Sequence, residues 1–300
     1  MPKLALGLNA FLSGEQKQEI LEFASKVGFD GIELVQSHEP YVRGKEDAVK
    51  REYERLGLEI PAIQTGGGGF IAGTRVSPVS CNEQARNQYV TIIKDQIEFC
   101  HALGATNAGL WPGGGYEGGR CSYETQLENL INTWSNVTEI AEDNDIILSF
   151  EPEPNAIFNG GYFRKPLDTV LQVLDAIKSK YFNVLFDFAH ADYCSKGNSW
   201  NDCQRDVQGD PIGYLKALKG RVGWVHMCDT NGKLTPFFKT GQHLAIGEGY
   251  LDMKGILRAL KEECPHLKWL QVDVWENPKP FETAEHNLKE TKKILKQISW

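Results

Sequence analysis

Three carboxylates and one imidazole close four consecutive strand-like segments of this chain. They are Glu151, Asp187, His226 and Asp273, and each follows a short run of mostly apolar residues. Alternate side chains of an extended strand point to the same face, so each of the four is the last residue on one face of its strand. Such a mainly oxygen donor set suits Mn²⁺ best, with Mg²⁺, Co²⁺ or Zn²⁺ as alternatives.

Each of these residues, taken alone, could be a polar strand end with its own local partner. Their recurrence at the same position of four strands favours a shared role. Three buried carboxylates repel one another unless a cation neutralises them. We therefore predict that Glu151, Asp187, His226 and Asp273 bind one divalent metal ion.

A divalent ion at this position would make proton transfer at carbon possible. Bound to the carbonyl and adjacent hydroxyl of a sugar, it polarises the C=O bond and acidifies the neighbouring C–H. Two carboxylates on opposite sides of the substrate, Glu151 and Asp273, are the candidates to remove and return the proton. His190, three residues after Asp187, is expected to contact substrate or act as acid or base; the alternative is a loop histidine bonded to backbone.

Three further residues are candidate substrate contacts. Glu33 points inward on the second strand and either pairs with a cation in the barrel interior or contacts substrate. Asp229 follows His226 by three residues and could orient that histidine or bind a substrate hydroxyl. Trp111 ends the fourth strand, where an aromatic face could stack on a sugar.

Eight repeats of a short apolar run and a longer stretch of helical periodicity carry these residues. The predicted strands are 4–9, 31–35, 59–65, 106–111, 146–151, 183–187, 222–226 and 269–274. The predicted helices are 15–27, 45–56, 82–103, 123–143, 166–178, 211–219, 252–263 and 282–297. Strand–helix alternation indicates a parallel sheet. No GxGxxG turn follows the first strand, as an open doubly wound sheet would require.

We therefore predict the α/β class and a single (β/α)8 barrel domain over residues 1–300. In such a barrel the active site lies at the C-terminal ends of the strands, where the four candidate ligands stand. The stretch 191–210 exceeds the usual strand-to-helix loop and is expected to be a lid or an oligomer contact. Barrels of this kind often pair through their mouth loops, so a homo-oligomer is expected.

Composition limits the partners and the location. The net charge of −8 argues against nucleic acid, because an acidic surface repels a phosphate backbone. Apolar runs are shorter than the roughly 20 residues of a membrane helix, so no membrane is expected. The start of the sequence lacks the features of a secretory signal, which predicts a cytoplasmic protein. Seven cysteines without a CxxC pair favour reduced thiols, although Cys194 and Cys203 could pair under oxidation.

Six segments of the sequence resemble the xylose-isomerase-like TIM-barrel superfamily, from about residue 4 to residue 296. They read, in order, GFDGIEL, SFEPEPN, FDFAH, VHMCDTN, AIGEGYLDMKGILRAL and WLQVDVWENPKP. The superfamily includes sugar and sugar-phosphate isomerases and epimerases, inosose dehydratases and endonuclease IV. The resemblance implies that Glu151, Asp187, His226 and Asp273 match its four-ligand metal pattern and that a keto sugar or related polyol is enolised.

Several positions depart from the patterns of individual members. Ketohexose 3-epimerases usually carry two glutamates and an arginine where this sequence has Asp273, Ile157 and Gly232. Endonuclease IV has histidines at the ends of strands three and four, where this sequence has Gln64 or Thr65 and Trp111. These departures weigh against free-ketohexose epimerisation and against DNA cleavage.

Three functions follow from the resemblance and the residues. The first is a divalent-metal-dependent isomerase or epimerase of a small-molecule carbohydrate, acting through a metal-stabilised enediolate. The second is a lyase, such as an inosose- or dehydroshikimate-type dehydratase or an enzyme that eliminates from a 3-keto glycoside. The third is a non-catalytic carbohydrate-binding barrel that has kept only the metal.

Overall fold

Eight parallel strands close into a barrel, which confirms the α/β class and the (β/α)8 fold expected from the sequence. The computed structural model describes residues 1–8, 16–35, 42–65, 70–71, 74–110, 121–152, 166–197, 200–203, 205–233, 243–275 and 277–300. In chain order the barrel strands are β1 (Lys3–Gly7), β2 (Gly31–Val35), β3 (Ala62–Thr65), β6 (Asn107–Leu110), β7 (Ile147–Phe150), β8 (Phe182–Asp187), β9 (Val222–Met227) and β10 (Trp269–Val272). Two short strands, β4 (Phe70–Ile71) and β5 (Thr74–Arg75), form an antiparallel pair after β3.

Helices follow the strands close to the predicted positions. They are α1 (Lys17–Val27), α2 (Glu46–Arg55), α3 (Glu83–Leu103), α4 (Tyr123–Asp143), α5 (Pro166–Ile177), α6 (Phe188–Ser195), α7 (Trp200–Cys203), α8 (Pro211–Leu218), α9 (Met253–Glu263) and α10 (Pro280–Gln297). The side chains of Asn82 and Ser122 accept backbone N–H groups at the starts of α3 and α4. Gly28 ends α1 in the left-handed conformation that glycine adopts most readily.

The segment after β8 differs from the prediction. The sequence predicts an unusually long loop over 191–210, but α6 begins directly at the strand end and includes residues 191–195. Asp187 is the N-cap of this helix, because its Oδ1 accepts the backbone N–H of His190 at 2.8 Å. An aspartate that ends a strand can also begin a helix. Asp187 does both, so the strand pattern alone does not predict α6.

Large side chains fill the space between strands and helices. Trp134 of α4 lies 5.0 Å from Phe150 and 5.5 Å from Phe182, measured between ring centroids. Inside the barrel, the indole N–H of Trp224 donates to Gln271 Oε1 at 3.0 Å. Trp224 and Leu185 pack in one buried cluster and point the same way as the strand-end residues two positions later. The site therefore rests on a packed floor.

The cysteines depart in part from the expected reduced thiols. Cys81 and Cys121 form a disulfide that joins the segments before α3 and α4. Cys194 and Cys203, the pair suggested by the sequence, are both buried and unbridged. The bridged cysteines are 40 residues apart along the chain, and they lie in segments that follow the neighbouring strands β3 and β6. Among the described residues, no helix has the length and apolar character needed to cross a bilayer.

Candidate active site

The four predicted ligands meet at the mouth of the barrel. Backbone pairing sets Asp187 beside His226 on adjacent strands, and Asp273 continues the same ladder through a hydrogen bond from its N–H to Met227 O. The N–H of Glu151 bonds in the same way to Leu110 O. All four side chains are buried, with exposed fractions of 1–4% for the residues. The alternation of the strands thus brings the four side chains into one small volume.

His226 occupies the centre of this volume. Its Nε2 hydrogen-bonds to Glu33 Oε1 at 3.4 Å and lies 3.3 Å from Oε2 of the same carboxylate. Its Nδ1 lies 3.2 Å from Asp273 Oδ2 and 3.6 Å from Glu151 Oε1, without a regular hydrogen bond to the described residues. A histidine that ligates a metal usually has its other ring nitrogen held by a carboxylate, as Glu33 holds this one.

The oxygens of Glu151 face two different partners. Oε1 lies 3.2 Å from His190 Nδ1, and Oε2 accepts a hydrogen bond from Gln64 Nε2 at 3.1 Å. Burial alone would raise the pKa of Glu151, but the contacts with His190 and His226 outweigh burial and hold that pKa well below its usual value. The carboxylate is therefore ionised at neutral pH.

Asp273 is ionised for a similar reason. Burial alone would raise its pKa. The neighbouring His243 and His226 and the N–H of Trp275 outweigh burial and lower the pKa from 3.8 to about 2. The Trp275 N–H donates to Oδ1 at 2.8 Å. Oδ2 faces His226 and lies 3.9 Å from His243 Nε2.

Asp187 links the site to residues nearer the mouth. Its Oδ1 accepts the backbone N–H of His190 in the first turn of α6, while Oδ2 lies 3.6 Å from Cys228 Sγ and 3.8 Å from His243 Nε2. Among the described residues, two groups have ligand atoms within 4.8 Å of one another. They are Glu151, Asp187 and His226, and Asp187, Cys228 and His243.

The charges of the site fit a divalent cation. Burial lowers the pKa of His226, but Glu33, Asp273 and Glu151 outweigh it and raise that pKa well above its usual value. Burial also raises the pKa of Glu33, against the opposing effect of His226. The imidazolium of His226 thus stands among several buried carboxylates. A divalent ion on Nδ1 of His226 would replace that proton and supply one more positive charge to the same carboxylates.

The other predicted residues lie at defined positions around this set. His190 is on the first turn of α6, buried, with its ring edge-on to His243 at 5.8 Å. Glu33 lies beneath His226 and is fully buried. Trp111 and Ile157 fall outside the described residues.

Asp229 is surrounded by backbone rather than by the candidate ligands. Its carboxylate accepts four backbone N–H groups of the segment that follows β9, from Thr230, Gly247, Gly249 and Leu251 at 2.8–3.1 Å. These bonds account for both oxygens. Asp229 thereby holds the segment 247–249, the GEG segment, against the end of β9.

Sequence reasoning missed three side chains of the site. Gln64, the residue before the last of β3, donates a hydrogen bond to Glu151. Cys228 continues the alternation of Trp224 and His226, so the period of two could have identified it. His243 lies four residues before Gly247 of the GEG segment, in a loop whose return to the mouth the local pattern does not reveal.

Comparisons with known proteins agree with this architecture. A family model described as xylose isomerase-like TIM barrel matches residues 21–298. An uncharacterized protein of Methanocaldococcus jannaschii, MJ1311, is 31% identical over 190 residues, which are 62% of this chain and 57% of that protein. The aligned part thus spans just over half the length of this relative.

Two solved structures share the fold over nearly the whole chain. The crystal structure of a D-tagatose 3-epimerase-like protein has a TM-score of 0.76 and 23% identity, covering 99% of this chain and 100% of that one. The IolI protein with a bound zinc atom has a TM-score of 0.68 and 18% identity, covering 99% of this chain and 97% of that one.

Proposed function

Since the chain belongs to the xylose isomerase-like TIM barrel family, we propose that it is a divalent-metal-dependent enzyme that isomerises or epimerises a keto sugar or related polyol. The observation that carries this proposal is the placement of His226. Its Nδ1 faces the carboxylates of Asp273 and Glu151, while Glu33 holds its Nε2. Two structural neighbours support the proposal. One is a D-tagatose 3-epimerase-like protein, which agrees with the reaction class, and the other is the zinc-bound IolI protein, which agrees with a metal.

The ion would be held by Glu151, Asp187, His226 and Asp273. When bound, a divalent ion polarises a sugar carbonyl and its adjacent hydroxyl, which acidifies the C–H between them. The donor set of three carboxylates and one imidazole suits Mn²⁺ best, and Mg²⁺, Co²⁺ and Zn²⁺ are alternatives.

Glu151 is the proposed first base. Its carboxylate is ionised, and Gln64 fixes one of its oxygens at 3.1 Å, so the orientation of the group is set before substrate binds. His190 lies 3.2 Å from the other oxygen and is placed to pass a proton between Glu151 and a substrate hydroxyl. Glu151 and His190 are both buried, which limits the access of bulk water to the proton.

Asp273 is the proposed second base, and its Oδ2, like Glu151 Oε1, lies near Nδ1 of His226. Its Oδ1 accepts the N–H of Trp275, which leaves Oδ2 as the oxygen that faces the site. For epimerisation, Asp273 would take up a proton from solvent and deliver it to the opposite face of the carbon, while Glu151 releases to solvent the proton that it removed. Its return by Glu151 or His190 to the neighbouring carbon gives aldose–ketose isomerisation.

Elimination is the second candidate reaction, and the same residue favours it. An aspartate side chain is one methylene shorter than glutamate, and one oxygen of Asp273 is already bonded to backbone. Asp273 therefore reaches less far toward a C–H than a glutamate would. A site with one effective base, Glu151, and an acid, His190, would expel a water or an aglycone β to the carbonyl.

Solvent exchange at carbon tests both reactions. The Mn²⁺-loaded protein is incubated in D₂O with panels of ketoses, inososes and 3-keto glycosides, and deuterium incorporation is followed together with loss of water or aglycone. Incorporation with rearranged or epimerised product supports the isomerase, and loss of water or aglycone supports the lyase. Binding of sugar without exchange, by protein with its metal bound, contradicts both and supports a non-catalytic barrel.

A further inference from the structure

A second set of metal-ligand side chains lies one step beyond the first toward the mouth. Trp224, His226 and Cys228 point to the same face of β9 and its extension, so the thiol of Cys228 follows the imidazole of His226 along the barrel axis. His243 approaches from the loop before the GEG segment and lies beside Asp187. None of the proposed steps at carbon uses Cys228 or His243.

The three ligand atoms are close enough to share one ion. Asp187 Oδ2 lies 3.6 Å from Cys228 Sγ and 3.8 Å from His243 Nε2, and one ligand atom of each residue lies within 4.8 Å of the other two. A tetrahedral zinc ion with ordinary bond lengths separates its sulfur, nitrogen and oxygen ligands by about 3.3–3.6 Å. Small rotations of side chains would therefore close the set around an ion.

The surroundings keep this set dry and fixed. Cys228 is fully buried, and Asp187 and His243 are 2% and 3% exposed. The ring of His243 stands edge-on to His190 and to Trp275, each at 5.8 Å between centroids. A hydrogen bond from Asn277 Nδ2 to the carbonyl oxygen of His243 holds its backbone.

We propose that Asp187, Cys228 and His243 form a second metal site, selective for a thiophilic divalent ion such as Zn²⁺. Thiolate and imidazole favour zinc and cobalt over manganese and magnesium, whereas the carboxylate-rich first site accepts the harder ions. Asp187 would belong to both sites, since a carboxylate has enough lone pairs to bridge two ions. On binding, the thiol of Cys228 loses its proton to the buffer and a sulfur–metal bond forms.

Cobalt titration tests this proposal independently of the reaction at carbon. The full chain is stripped with a chelator and titrated with Co²⁺ alone, while bound metal and the near-ultraviolet thiolate-to-cobalt absorption are recorded. We expect two ions per chain, one of which produces the thiolate band. A parallel titration with Mn²⁺ is expected to stop at one ion.

Matched variants separate the two sites. Cys228→Ser is expected to abolish the thiolate band and reduce the cobalt content to one ion, and His243→Ala to weaken binding at the same site. Cys264→Ser, at a buried thiol beyond the end of α9, should leave the band unchanged. Glu151→Gln should weaken the other ion and keep the band.

A wild-type protein that binds cobalt without a thiolate band would overturn the second site, as would a band that survives Cys228→Ser. Two manganese ions per chain would overturn its selectivity. Circular dichroism of each variant establishes that the fold is retained, and His243→Ala gives an independent result if Cys228→Ser fails to fold. A failure of the deuterium exchange described above leaves these readouts unaffected, so the two proposals fail separately.

Discussion

The carboxylate of Glu33 hydrogen-bonds to Nε2 of His226 at 3.4 Å, although the two residues lie 193 positions apart in the sequence. Both side chains are buried. This contact fixes the imidazole ring and turns its Nδ1 toward Glu151 and Asp273. Glu33 thus acts through His226. It has the position of the carboxylate that usually supports a metal-ligating histidine.

Replacing Glu33 by glutamine should weaken metal binding rather than abolish folding. Loss of a carboxylate that supports a metal-ligating histidine typically costs about 10–100-fold in affinity. We expect that loss for Mn²⁺, measured by calorimetric titration of chelator-treated protein. Glu262→Gln, on the exposed side of α9, is the control and should bind as wild type. An unchanged affinity in Glu33→Gln would contradict a supporting role of the Glu33 carboxylate in metal binding.

Replacing Glu151 by glutamine should suppress exchange at carbon. The amide keeps the size of the side chain and its contact with Gln64 but cannot accept a proton, so a loss of about 10²–10⁴-fold is expected. The measurement is deuterium incorporation at saturating Mn²⁺, which separates the loss of the base from weaker metal binding. Exchange near the wild-type rate would exclude Glu151 as the base.

Metal binding should tighten as pH rises and should release a proton. The pKa of His226 is raised well above its usual value in the ion-free protein, so its imidazole is protonated at neutral pH and an ion must displace that proton. We expect the affinity for Mn²⁺ to increase with pH until His226 is deprotonated. Titrations in buffers of different ionisation enthalpy count the protons released. Release of none at pH 7 would contradict the raised pKa.

Two residues of the site should contribute to the stability of the ion-free protein with opposite dependence on pH. The contribution of His226, whose pKa is raised by folding, is full below about 6.5 and is lost as pH rises through the raised value. The contribution of Asp273, whose pKa falls from 3.8 to about 2, is present above 3.8 and is lost as pH falls toward 2. Urea unfolding of chelator-treated protein across this range measures both. Replacing His226 by glutamine should remove the alkaline decline.

Replacing Asp229 by asparagine should destabilise the segment after β9. The amide nitrogen would face backbone N–H groups that now donate to a carboxylate oxygen, at a cost of about 1–3 kcal/mol. Unfolding in urea measures the loss, and hydrogen exchange of Gly247, Gly249 and Leu251 locates it. Asp175→Asn, in an exposed ion pair with Arg221, is the control and should cost under about 1 kcal/mol. Equal effects of the two variants would contradict the buried role of Asp229.

Reduction of the Cys81–Cys121 disulfide should lower stability without removing the fold. Cross-links that close loops of this length typically contribute about 2–4 kcal/mol by restricting the unfolded chain. A reductant is expected to lower the melting temperature of the wild type and to leave that of the Cys81→Ala, Cys121→Ala double variant unchanged. Peptide mapping without reductant that finds both cysteines as thiols would contradict the bridge.

The sequence by itself predicted the barrel and the four residues that meet at its mouth. Strand alternation and helical periodicity are local properties of the chain, and they placed Glu151, Asp187, His226 and Asp273 on inward faces at strand ends. A closed parallel barrel puts all its strand ends at one rim, so the local pattern was sufficient to bring these four together. The helix after β8 was not predicted, because one residue, Asp187, both ends the strand and caps the helix.

Only the tertiary structure decided how each side chain is used. Glu33 supports His226, Asp229 binds backbone rather than the candidate ligands, and His243 enters the site from a loop. The Cys81–Cys121 bridge likewise joins segments that follow two neighbouring strands, β3 and β6. Such contacts join residues far apart in sequence, and their directions follow from the closure of the barrel and the paths of its loops. Local periodicity determines which face a residue occupies, but not which distant group stands opposite it.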